Sequence, residues 1–131
     1  MFKNNTMAKK KKKTQKYWKV KIDKVYHEYI RRRDADNDTG YCTCVSCKKI
    51  IHFTESDGGH FISRKHLSTR YDEENVNAQC RKCNRLTLGE EVANKLLIKS
   101  KQILKLDDTD WLEIFETYRD KLAELKDIQD F

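Results

Sequence analysis

No run of apolar residues in this chain is long enough to cross a bilayer, and its start has no signal-peptide pattern. Those absences argue against a membrane or secreted protein and make the cytoplasm the expected location. Apolar residues are scarce altogether: a hydrophobic content of 37% over 131 residues leaves room for one domain with extensions and only a modest core. Such a chain gains from a metal staple. Internal repeats are lacking apart from two short cysteine pairs, which excludes a repeat architecture, and every glycine and every cysteine falls between residues 40 and 90.

What the chain has is positive charge and thiols. Lys and Arg number 28 against 21 Asp and Glu, a net charge of +7, with the excess concentrated in the first third. That asymmetry points to a polyanionic partner, with nucleic acid the first choice. Five cysteines without secretory context belong in a reducing compartment, where thiols bind metal rather than form disulfides.

Residues 1–13 end in Lys9 to Lys13, a run that self-repels and lacks apolar anchors, so they are expected to form a disordered basic arm. The arm is either a solvated tail or a non-specific phosphate contact. Thr14 is a cap candidate for a helix over 14–34, with Trp18, Ile22, Val25, Tyr26, Tyr29 and Ile30 largely at spacings of three and four. Lys16, Lys19, Lys24, Arg31 and Arg32 occupy its other face, as a solvated surface or a phosphate-tracking one.

In the block 40–90, "YCTCVSC" and "KKIIHF" read as a hairpin around a knuckle, "GGHFISR" as a short strand after a flexible turn, and "TLGEEVANKLL" as the start of a helix. From about 91 the pattern is helical: Val92, Leu96, Leu97, Ile103 and Leu104 share one face before a break at "DDTD". Trp111, Phe115, Tyr118, Leu122 and Leu125 recur at four, three, four and three after a cap at Thr109 or Asp108. This stripe is expected to pack within the monomer, with a short coiled coil between two copies as the other use.

Cys44, Cys47, Cys80 and Cys83 form two Cys-x-x-Cys pairs, each able to grip one tetrahedral zinc from a tight turn. Cys42 is left as a spare thiol on the strand, and His52 reads as structural. A four-thiolate site does not need His60, Asn75 or Asn84. A lone histidine on a strand is more often structural than catalytic; position changes that weighting. A ββα-metal nuclease needs a neutral histidine on a hairpin strand to take a proton from water, and a divalent cation held near it by a residue at the start of the following helix. His60 and Asn84 occur in that order. Asn75, five residues before Cys80, can brace the histidine strand by bonding backbone groups.

The segments "YIRRRDAD", "GYCTCVSCKKI" and "DGGHFISRKHLSTRYDEENVNAQCRKCNR", with the helix after them, resemble the NinG/Rap family of phage recombination endonucleases, HNH-type proteins acting on branched DNA. "GH" and "CRKCN" carry a wider likeness to recombination endonuclease VII, a Holliday-junction resolvase. The resemblance implies an α+β fold: a small zinc-stapled ββα-metal (HNH) core over 40–90, an N-terminal helix and a helical extension over 91–131, making 14–131 one nuclease domain. It implies His60 as general base, Asn84 as ligand of a catalytic Mg2+ or Mn2+, and Asn75 as the structural asparagine. Gly59 stands where HNH sites commonly have an acidic ligand, which leaves Asp57 as the candidate. Arg64 and His66 either grip the scissile phosphate or belong to a surface loop. The implied partners are branched DNA, a second copy for paired cuts and recombination proteins, in the cytoplasm of an infected bacterium. Two other readings remain: a catalytically silent zinc module that binds DNA, and an HNH nicking enzyme without branch preference.

Overall fold

The computed structural model describes residues 12–85 and 94–131. The arm's residues 1–11 and the helix start expected in "TLGEEVA", Val92 included, lie outside them. Thr14 Oγ1 accepts the Tyr17 N–H at 3.1 Å and opens α1 (Gln15–Arg33). Trp18, Ile22, Tyr26 and Ile30, four apart, are its buried stripe, while Val25 and Tyr29 are half-buried beside it. Arg31, Arg32 and Arg33 fill the last turn, where cations meet the negative end of the helix dipole.

The partner of α1 is the C-terminal helix α5 (Asp108–Ile128), so its apolar stripe is used within the monomer. Trp111 joins Trp18, Ile22, Tyr26, Ile30 and Val76 in the main core, and Tyr118 meets Tyr26 edge-on at 4.6 Å between ring centres. The cap is Asp107 rather than Asp108 or Thr109. Asp107 accepts the Asp110 N–H at 2.9 Å while the Asp110 carboxylate accepts the Asp107 N–H at 3.0 Å, a reciprocal box that either alternative would forgo. Asp108 instead accepts the Trp18 indole N–H at 3.2 Å, tying the two helices.

Between these helices the chain forms two antiparallel pairs: β1 (Tyr41–Thr43) with β2 (Ile50–His52), and β3 (Ser56–His60) with β4 (Val76–Cys80). A short helix α2 (Leu67–Arg70) lies in the loop joining β3 to β4, and α3 (Arg81–Arg85) follows β4 without a linker. The architecture is a small mixed α+β domain. Arg33 and Asp34 clamp the end of α1 to β4: Arg33 donates to the Val76 carbonyl at 2.9 Å and Asp34 accepts the Ala78 N–H at 2.7 Å.

Two expectations need correcting. The strand assigned to "GGHFISR" runs instead from Ser56 to His60, with both glycines inside it. The glycines allow close approach: a Cβ on Gly58 would sit 3.2 Å from His27 Cδ2 of α1, and one on Gly59 would collide with the Gln79 side chain. The helix expected to carry Ile103 and Leu104 is α4 (Asn94–Ser100), and it ends before them. Lys101 and Gln102 close onto carbonyls three residues back, Ile103 is 87% exposed, and among the described residues of that face Leu96 alone is buried.

Candidate functional site

The sulfur atoms of Cys44, Cys47, Cys80 and Cys83 all lie within 4.8 Å of one another. A tetrahedral zinc with Zn–S bonds of about 2.3 Å needs sulfurs about 3.8 Å apart, and Cys47 and Cys80 already stand at 3.9 Å. Backbone amides point at the cluster: Cys80 N–H donates to Cys44 Sγ and Cys83 N–H to Cys80 Sγ. Burial raises the Cys44 thiol, but N–H bonds from Cys47, Cys80 and Ser46 outweigh it and bring its pKa down to about 6. The contact with Cys80, then burial, then Cys47 and Cys44 push the Cys83 thiol up to about 12. These four residues could therefore bind a zinc ion; Cys42, buried in β1, stays outside the cluster.

Beside the cluster opens a polar pocket of about 350 Å³ lined by His27, Arg31, Asp57, Gly58, His60, Arg64 and Asn84. Adjacent residues of a helix project about 100° apart. That rotation lets α3 send Cys83 to the sulfurs and Asn84 to the pocket. Asn84 donates its amide N–H to Asp57 at 3.2 Å across the β3–α3 junction, and Arg81 lies 3.6 Å from the other oxygen of that carboxylate. Asp57 and Asn84 thus present oxygen ligands of the kind hard divalent cations take.

His60 ends β3 half-buried, its Nε2 3.0 Å from the Arg70 carbonyl. A carbonyl only accepts, so Nε2 carries the proton and Nδ1 is left as the basic nitrogen. Burial, reinforced by His27, Arg64 and Arg70 against that hydrogen bond, lowers the His60 pKa to about 4, so the ring is neutral at physiological pH. Arg70 is itself fixed by Asp23 of α1 at 2.7 Å. Arg64, more exposed, lies 3.6 Å from the same carboxylate and lines the pocket.

Asn75 and His66 line no part of this pocket. Asn75 is fully buried; it accepts the Ile62 N–H at 2.7 Å and donates to the Ile62 and Thr69 carbonyls at 3.1 and 3.0 Å. It braces the loop that leaves His60, and its loss would strand three buried backbone groups at roughly 1–3 kcal/mol each. His66 is turned away because its N–H closes onto the Ser63 carbonyl, putting it at the start of α2. His52 packs on Phe53, with its Nδ1 bonded to Thr54.

Two lining residues come from α1 and were not anticipated as site residues. His27 received no role from its sequence context, and Arg31 was one of several surface cations. His27 Nε2 and Arg31 Nε are buried and have no hydrogen-bond partner among the described residues. The available signal was the spacing Asp23, His27, Arg31, a polar stripe parallel to the apolar one.

Fold and site together define a small α+β protein in which a four-cysteine centre adjoins a polar pocket. Comparison with known proteins adds the family. The family model described as Bacteriophage Lambda NinG protein matches residues 3–129, and the chain belongs to the NinG family. It is similar to Protein ninG of Salmonella phage P22, with 28% identity over 87 residues. That match takes in 66% of this chain and 40% of the P22 protein. No solved structure matches the chain. Among the described residues, no helix is long and apolar enough to cross a membrane.

Proposed function

We propose that this NinG-family protein is a metal-dependent DNA endonuclease of the HNH type that cuts branched recombination intermediates such as Holliday junctions. The observation that carries this reading is the convergence of His60, Asp57 and Asn84 in one pocket, on a strand, strand, helix order stapled by four cysteines. His60 Nδ1 takes a proton from the attacking water as its oxygen bonds to phosphorus. Arg70, through its carbonyl, keeps the other ring nitrogen protonated throughout. Arg64 offers a guanidinium to the phosphate as the bond to the 3′ oxygen breaks, and that oxygen is protonated from solvent. Asp57 and Asn84 would hold Mg2+ or Mn2+, which when bound neutralises charge on the phosphate and the leaving oxygen. Branch preference and a homodimer making paired cuts are carried by the likeness to junction-cutting endonucleases.

The test is strand scission of a labelled four-way junction and a matched linear duplex with Mg2+, Mn2+ or neither. Omitting the cation is preferable to adding a chelator, since a chelator strong enough for Mg2+ also extracts zinc and unfolds the protein. Junction cleavage that needs the added cation and exceeds duplex cleavage by tenfold or more is the expected outcome. Equal cleavage of both substrates would leave a nicking enzyme without branch preference. Binding with no cleavage would leave a zinc-stapled DNA-binding module.

A further inference from the structure

We infer that His27 and Arg31, one turn apart on α1, form with Arg64 an anion subsite that binds the nonbridging oxygens of a DNA phosphate in the pocket. The inference rests on the nuclease reading and adds to it residues from a different part of the chain. Asp23, His27 and Arg31 fall at successive spacings of four, so they share a face of α1 beside the buried stripe. The three fare differently. Asp23 is spent on Arg70 and Tyr71, each at 2.7 Å. His27 and Arg31 line the pocket, and His27 Nε2 and Arg31 Nε have no hydrogen-bond partner among the described residues.

Arg31 stands apart from the arginines around it. Arg32 pairs with Glu28, Arg33 with Asp34 and Glu73, and Arg70 with Asp23, whereas among the described residues the side chain of Arg31 makes only a long 3.5 Å contact to the Ser56 carbonyl. A guanidinium with spare donors, buried at Nε, suits an oxyanion that can take two parallel N–H bonds. His27 reaches the pocket because Gly58 has no side chain to fend off its ring, and its centre lies 5.7 Å from that of His60. Burial, with Arg64, Arg31 and Arg70 against Asp23, lowers its pKa and keeps it neutral, so it offers an N–H without adding a charge beside the cation ligands. A phosphodiester needs both kinds of group here: cation ligands for one oxygen and fixed donors for the other.

The experiment compares wild type, Arg31→Met, Arg31→Lys and His27→Gln, each checked for zinc content and melting temperature. Single-turnover cleavage of the four-way junction in Mg2+ should be roughly tenfold or more slower in Arg31→Met, the effect of losing one charge-assisted donor, and partly restored in Arg31→Lys. His27→Gln, which keeps an N–H donor, should fall between. A junction with sulfur at one nonbridging oxygen separates contact from structure: the wild-type penalty for one diastereomer should shrink in Arg31→Met. Binding to the same junction in Ca2+ gives a readout independent of cleavage, with the log-log salt slope of Arg31→Met smaller by about 1. Unchanged slope and unchanged sulfur penalty in a folded Arg31→Met would overturn the subsite. A wild type that never cleaves, with the slope still reduced in Arg31→Met, would overturn the nuclease reading and leave the subsite standing.

Discussion

Cys83→Ser should abolish stoichiometric zinc and unfold the segment from β1 to α3. The reason is the poverty of the core there: Ala35, Cys42, Ile51, Phe53 and Ala78 make a small cluster, separate from the one that α1 and α5 build. A structural zinc contributes on the order of 10 kcal/mol to such a fold, comparable with the whole stability of a typical domain at roughly 5–15 kcal/mol. Serine offers no thiolate, and the remaining sulfurs cannot close a tetrahedron. Metal analysis and thermal melting check this, with Cys42→Ser as the control that keeps its zinc, since Cys42 lies outside the cluster. Equal zinc content and melting temperature in Cys83→Ser and wild type would refute the centre.

His60→Ala should keep zinc, fold and DNA affinity and lose about 10²–10⁴ in single-turnover cleavage, the usual contribution of a positioned base. The fold survives because His60 ends its strand and makes one hydrogen bond, to the Arg70 carbonyl, while Asp23 and Asn75 hold that loop independently. The lowered pKa fixes the sign of the pH dependence. A ring neutral down to about pH 4 serves as base throughout the neutral range, so wild-type cleavage should not fall as pH drops from 8 to 6 through loss of this group. A variant cleaving at the wild-type rate would remove His60 from the chemistry.

Much of this was legible in the sequence because it is written in short-range spacing. The stripe Trp18, Ile22, Tyr26, Ile30 needs only helical periodicity, and the four cysteines need only two tight turns. The meeting of Asp57 with Asn84 was legible through family likeness, not through any rule of spacing. What stayed hidden depends on contacts distant in sequence or on turns that composition does not mark. Nothing local to the glycine pair reveals that His27 and Gln79 press against it. His66 looked equivalent to Arg64, and a single turn at Ser63 separates them. Ile103 continued an apolar pattern that the backbone abandons at Lys101. His27 was invisible as a site residue because α1 joins the pocket only through tertiary packing.

In the proposed nuclease one turn of helix serves two centres, Cys83 turned to zinc and Asn84 to a catalytic cation. The Mg2+ dependence of junction cleavage by Asn84→Ala, measured beside its zinc content, tests this most directly. Full zinc, an unchanged fold, slower cleavage and a Mg2+ requirement raised well above wild type are expected, because Asp57 alone is left to hold the cation. A Mg2+ curve that superimposes on wild type, with zinc retained, would contradict it.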